Sequence, residues 1–170
     1  DVEVRIRPEE LASDSATTES VIQDVVDHLD GAHEAVNLLL AQVTSPFRRP
    51  GSIDGIVRVL EDSGADSVVA VVPESPFLWV FRNGRPEALY DPGSRPRRQD
   101  LGHADVIYRE SGSLYAFTRA GFERHGCRVF GRVHLFPMSH LEGLDIDTQA
   151  DLDFAQVALD SGLWRQTAVG

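Results

Sequence analysis

A chain of 170 residues with 27 acidic and 16 basic side chains, a net charge of −11 and a single cysteine is long enough to bury one sizeable core. The acidic balance argues against a general nucleic-acid or anionic-membrane binder, and the lone Cys127 excludes an intrachain disulfide and a cysteine-based zinc site. Every basic residue is an arginine, so neither Schiff-base chemistry nor a phosphate-binding lysine can come from these residues.

Residues 2–6 alternate apolar and polar, which predicts a short strand ended by Pro8. Val21, Ile22, Val25, Val26 and Leu29 then mark one stripe of an amphipathic helix closed by Gly31. The run AVNLLLAQ predicts a strand covered on both faces, and Ile53, Ile56, Val57 and Leu60 predict a second amphipathic helix. With the apolar run ADSVVAVV these make a βαβ unit with a right-handed crossover. Beyond Pro73 the pattern changes. FLWVFRNGRPEALYD reads as a hairpin turning at Asn83-Gly84, and residues 91–105, with Arg95, Arg97 and Arg98, read as a loop. The chain returns through VIYRESGSLYAFT, a short helix near RAGFERHG, a strand in CRVFGRVHLFPM with Cys127 at its entry, and a final helix from about Thr148 to Leu159. The expected architecture is a three-layer α/β domain with a mainly parallel sheet and an inserted β-rich arm.

Ligands of open α/β sheets bind beyond the carboxyl ends of the strands, which directs attention to three loops. LLLAQVTSPFR leaves a strand with Gln42, Thr44 and Ser45 ahead of a proline turn and Arg48, as a ligand-facing loop or as plain turn chemistry in which Thr44 and Ser45 serve backbone hydrogen bonds. RPRRQD gathers guanidinium forks able to hold a carboxylate or phosphate bidentately, or is simply solvated. GLDIDTQAD sets Asp145 and Asp147 on alternate residues before a helix. Two readings compete there. Acidic groups suit a helix N-terminus, and Thr148 with Asp151 is a variant of the capping box. Two carboxylates on one side of an extended segment also suit a hard divalent cation.

RPEELASDSATTESV, LAQVTSPFR, RRQDL, YRESGSLYAF and LDIDTQADLDFA, in this order, resemble successive motifs of the acylneuraminate cytidylyltransferases, the CMP-sialic acid synthetases. The resemblance covers nearly the whole chain, and the Thr-Ser-Pro turn is similar to the sialic-acid branch rather than to the related Kdo enzymes. It implies a nucleotide-diphospho-sugar transferase-like fold over residues 1–170, with residues 73–126 as an inserted dimerisation and sugar-binding arm. The implied reaction transfers CMP from CTP to the anomeric hydroxyl of a sialic acid or related nonulosonic acid, releasing pyrophosphate, with Mg²⁺ or Mn²⁺ as cofactor. Asp145 and Asp147 match the family's metal-binding aspartates. Gln42 matches a sugar-binding glutamine, with Thr44, Ser45 and Arg48 in the same block. Arg98, with Gln99 beside it, suits the sugar carboxylate, and Arg109, Ser111 and Tyr115 lie in the segment matched after the arm. The single cysteine fits a cytoplasmic, reducing location, and the apolar run Phe77, Leu78, Trp79, Val80 and Phe81 in the arm predicts a homodimer.

Two departures stand against the family pattern. Ser111-Gly112 replaces the family's Asn-Gly, giving a shorter side chain without the amide's second arm. The family's opening strand and basic glycine loop, which cradle the CTP phosphates, have no counterpart here. The chain opens on Asp1 in what reads as mid-fold, so it is expected to be part of a longer enzyme and not to make CMP-sugar by itself. The alternative expectation is a non-catalytic sugar-binding or dimerisation module that has lost the nucleotide loop.

Overall fold

Helical periodicity becomes helix wherever the end chemistry agrees with it. The computed structural model describes residues 3–28, 37–102 and 105–167. In it α1 (Thr18–His28) and α2 (Ser52–Ser63) form where the two stripes were predicted, burying Val26 in the first and Ile56 and Leu60 in the second, while the stripe members Val25 and Ile53 stay exposed. Each such side chain removed from water contributes about 1.5–3 kcal/mol. Leu29 and Gly31, expected to finish the first helix, lie outside the described residues. α3 (Arg119–His125) starts on Thr118, whose hydroxyl accepts from the Gly121 amide, and ends on Gly126 at φ 65°. α4 (Gln149–Asp160) is followed by α5 (Leu163–Thr167), a turn of helix that the sequence pattern did not announce.

Four strands form a mixed, mainly parallel sheet in the order β1 (Asn37–Ala41), β5 (Ile107–Thr118), β2 (Ser67–Glu74), β6 (Val133–Pro137). Asp66 N and Met138 N bond to Arg132 O and Val71 O, so β6 runs with β2. Thr118 N bonds to Asp66 O while the Ser111 hydroxyl bonds to Ala70 O, so β5 runs against it.

Several expectations change. No strand forms over 3–8; Val4 and Ile6 are instead exposed, and alternation alone supplied no partner for the backbone. β1 is half-buried rather than covered on both faces because it is the terminal strand of the sheet as described. The βαβ strands β1 and β2 are not neighbours, since β5 lies between them. Residues 127–132 are bends and irregular chain, not strand, and Cys127 Sγ donates to the carbonyl of Val129 two residues on. Gly131, at φ 62°, explains the late start of β6: a Cβ there would fall 2.3 Å from Asp66 Oδ2, the atom that accepts the Arg132 amide.

The chain comprises two compact units. The first (Asp1–Ala41, Ile53–Val69, Tyr115–His134) contains α1, most of α2 and α3, and an apolar cleft of about 180 Å³ lined by Val21, Ile22, Val25, Val26, residues 38–40 and Phe117. The second (Gln42–Ser52, Ala70–Leu114, Leu135–Gly170) contains α4, α5 and a hairpin. In that hairpin β3 (Trp79–Arg82) pairs antiparallel with β4 (Arg85–Ala88), Trp79 opposite Ala88 and Arg82 opposite Arg85. Asn83 and Gly84, at φ 52° and 75°, supply the two left-handed residues that a two-residue hairpin turn requires.

Candidate functional site

The candidate site lies within the second unit, where the turn after β1 meets the segment before α4. Two contacts join them, Ile146 N donating to Thr44 O at 2.9 Å and Ser45 Oγ donating to Asp145 Oδ1 at 3.4 Å, and Gln42 N ties the turn to β5 by donating to Ser113 O at 3.1 Å. Ile146 packs with Phe47, Leu141, Leu144, Ala155, Ala158 and Trp164, which anchors the extended segment by its middle residue. Side chains alternate along extended backbone, so Asp145 and Asp147 take the side opposite this apolar cluster. The isoleucine is the anchor of the acidic pair.

The helix cap uses neither carboxylate of that pair, only the Asp147 amide, which donates to Asp151 Oδ2 at 3.3 Å. Thr148 Oγ1 accepts from the Asp151 amide, and Asp151 Oδ2 accepts from the Thr148 amide at 2.8 Å and its hydroxyl at 2.7 Å, completing the capping box. These bonds hold the Asp151 carboxyl below the usual carboxylate range, the Thr148 hydroxyl being the largest cause and the Thr148 amide the next. Asp145 is half-buried and Asp147 exposed, and among the described residues no cation pairs with either.

Gly112 completes the arrangement. It sits within β5 at φ 75°, and a Cβ added to it would lie 3.1 Å from Asp145 Oδ2 and 3.6 Å from Gln42 Oε1. Two side-chain oxygens thus converge on a point that only glycine leaves open. Asp145, the Ser45 hydroxyl that donates to it and Asp147 two residues on carry oxygen donors, the type a hard cation such as Mg²⁺ takes. Among the described residues no group of three His, Cys, Asp or Glu side chains could enclose a metal.

The remaining sequence candidates divide. Arg48 turns inward, its Nη2 near Gln42 O, Ser45 O and Ser113 Oγ at 3.4–3.5 Å, so it braces the turn. Ser111 is buried, its hydroxyl donating to Ala70 O at 3.0 Å and accepting from Ser113 N. Gly143 approaches this position closely, since a Cβ on it would lie 3.2 Å from the Ser111 Cβ; a short side chain suits the space. Arg109 pairs with Glu74 at 3.1 Å on the exposed surface. In the arginine loop, Arg95 stacks over Phe77 and donates to the Tyr90 hydroxyl, and Arg97 chelates Asp100 at 2.7 and 3.0 Å. Arg98 and Gln99 are exposed, and no described side chain pairs with the Arg98 guanidinium. Tyr115 belongs to the other unit, buried under the Arg128 guanidinium at 4.6 Å, with Glu19 paired to Arg128. Burial lowers the Arg128 pKa and the Tyr115 and Glu19 interactions more than offset it.

Sequence reasoning missed Glu142. It is 3 % exposed and sits in SHLEGLDID between Leu141 and Gly143, where an acidic residue beside apolar neighbours was the available signal.

No family model matches the chain. Curated proteins do: over 154 residues it is 27 % identical to the N-acylneuraminate cytidylyltransferases of Streptococcus agalactiae serotypes III, Ia and V, covering 88 % of this chain and 36 % of each relative. These three relatives share the name N-acylneuraminate cytidylyltransferase. The chain spans about a third of the length of those cytidylyltransferases, and the aligned stretch is long enough to take in most of both compact units. No helix among its described residues is long and apolar enough to cross a membrane.

Proposed function

We propose that this chain forms the sugar-binding and metal-binding part of a nucleotidyltransferase that moves CMP from CTP to the anomeric hydroxyl of a nonulosonic acid. In that reaction the sugar oxygen bonds to the α-phosphorus, the bond from that phosphorus to the pyrophosphate oxygen breaks, and the hydroxyl proton is lost. A bound Mg²⁺ or Mn²⁺ offsets charge between two electron-rich reactants. Asp145 and Asp147 hold it. Gln42 fixes the sugar through its amide, and Arg98 takes the sugar carboxylate in a two-pronged bond that a guanidinium fork makes well, with Gln99 beside it. Arg48 braces the turn that carries Gln42, and Ser111 ties β5 to β2 beside it. The observation that carries the proposal is the convergence of Asp145 Oδ2 and Gln42 Oε1 on Gly112 in a chain whose relatives bear this enzyme name.

The proposal extends to the excursion between β2 and β5. Trp79 and Phe81 are 55 % and 78 % exposed and Leu78 is exposed beside them, an apolar surface suited to a second copy of the chain. On this reading residues 73–126 carry the dimer contact, and the intact protein is a homodimer.

The test incubates the intact gene product with CTP, Mg²⁺ and, in turn, N-acetylneuraminic, legionaminic and pseudaminic acids, and follows pyrophosphate. Release dependent on one of the sugars is expected, and the sugar giving the highest kcat/KM names the substrate. Sugar binding without pyrophosphate release would instead make the chain part of a binding module.

A further inference from the structure

Among the described residues Glu142 is the only carboxylate buried this deeply, and the site as derived above does not use it. Its Oε1 accepts from the Arg49 amide at 3.2 Å and the Ser52 hydroxyl at 2.9 Å, and its Oε2 accepts from the Ser139 hydroxyl at 3.0 Å and the Ser139 amide at 3.4 Å. Arg49 Nε lies 3.2 Å from the same Oε2. A carboxylate stripped of water is costly unless its lone pairs are filled, and here donors fill both oxygens. Such a group is strongly held and strongly directional. It ties the start of α2 to residues 139–143, with Gly143 N bonded back to Ser139 O at 3.0 Å. Arg49 stands four residues after Ser45, and Asp145 three after Glu142, so the tie closes one end of the two-walled site while the Ile146 to Thr44 bond closes the other.

We infer that Glu142 is a positioning residue: its buried carboxylate sets the spacing between the turn 42–49 and the segment 144–147, so that Asp145 and Asp147 stand at a fixed distance from Gln42 before any cation or sugar arrives. The inference rests on the reading of Asp145 and Asp147 as cation ligands. A loop held this way loses little entropy when the cation binds, and partners lying one shell outside a metal commonly alter its affinity or the turnover by about 10–100-fold.

The experiment compares the intact protein with Glu142→Gln, which keeps the shape and loses the charge, and with Ser139→Ala, a milder cut in the same network. Backbone amide exchange is the readout independent of activity. Exchange in segments 42–49 and 144–147 is expected to rise by about tenfold or more in Glu142→Gln, with β2 unchanged. Mn²⁺ affinity by electron paramagnetic resonance is expected to fall about 10–100-fold, and kcat to fall while KM for CTP holds, with Ser139→Ala intermediate in each. Unchanged exchange in the two segments, or a rise spread equally through β2 and α2, overturns the inference. An Asp145→Asn variant run in parallel separates the two claims. If it binds Mn²⁺ and turns over like the parent, the cation reading of the site is wrong, and the positioning role toward that cation falls with it even where the exchange pattern shows a brace.

Discussion

Two parts of the second unit carry the proposed chemistry in opposite ways. The wall formed by residues 42–49 and 144–147 is tied by backbone bonds, by Arg48, by Ser45 to Asp145 and by the buried Glu142, whereas the arginine loop of residues 91–102 is exposed along almost its whole length. The loop has order of its own. Asp91 accepts from Ser94 Oγ and Gly93 N, which hold its carboxyl below the usual range, and Arg97 and Asp100 close one turn. These are local bonds, made within the loop. The braced wall suits a task in which oxygen positions must be right before the ligand arrives, as for a cation with strict geometry. The exposed loop suits capture of a solvated anion, for which a side chain needs charge and reach more than fixed placement.

If that contrast is real, substitutions should separate by region. The largest effect is expected from Asp147→Asn, which removes an anionic ligand and keeps the shape. Loss of metal-assisted charge stabilisation is worth several kcal/mol, so turnover should fall by about a thousandfold or more. Thermal stability should barely move, because Asp147 is exposed and outside the capping box. Next comes Arg98→Ala, expected to raise KM for the sugar acid by roughly 10–100-fold, the loss of a charge-assisted bond of about 1.5–3 kcal/mol, with little change in kcat. Arg97→Ala is its control: it breaks an exposed pair with Asp100 worth about 0–1 kcal/mol and should leave the kinetics near the parent. If the two variants behave alike, the loop acts as a diffuse charge and not through Arg98.

Gly112→Ala probes the wall from inside. The methyl group would demand a left-handed backbone from alanine, about 1–2 kcal/mol, and would press on Asp145. Both a lower unfolding midpoint in denaturant and weaker cation binding are expected, whereas a loss of stability alone would detach Gly112 from the site. The smallest effect belongs to the cap of α4. The Asp151 carboxyl is held below its unfolded value, so its contribution is present above the ordinary carboxylate range and fades as pH falls through the depressed folded value. Asp151→Asn should flatten the acid limb of the stability profile and spare turnover at neutral pH.

The same contrast bears on what the sequence made legible. The Asn83-Gly84 turn, the Thr148 cap and the apolar stripes of α1 and α2 were readable because neighbours within a few residues decide them. The D-I-D pattern was readable as two competing chemistries, and the capping box of Thr148 with Asp151, one part of the helix-start reading, is present. The strand expected over residues 2–6 was not found over 3–8, because alternation specifies a face and not a partner. Nor could sequence show that Ser111 serves the Ala70 carbonyl, that Tyr115 lies with Arg128 in the other unit, or that Glu142 collects donors from residues about ninety positions away. Those depend on which strands become neighbours, and the insertion of β5 between β1 and β2 is not written in local pattern.

The central claim is that the acidic pair before α4 serves a cation and not the helix. Mn²⁺ titration of the intact protein by electron paramagnetic resonance, for the parent, Asp147→Asn and Asp151→Asn, tests it directly. Asp147→Asn should lose Mn²⁺ binding while its unfolding midpoint stays near the parent's, and Asp151→Asn should keep Mn²⁺ binding while its midpoint drops. Equal Mn²⁺ affinity in the parent and Asp147→Asn would contradict the account.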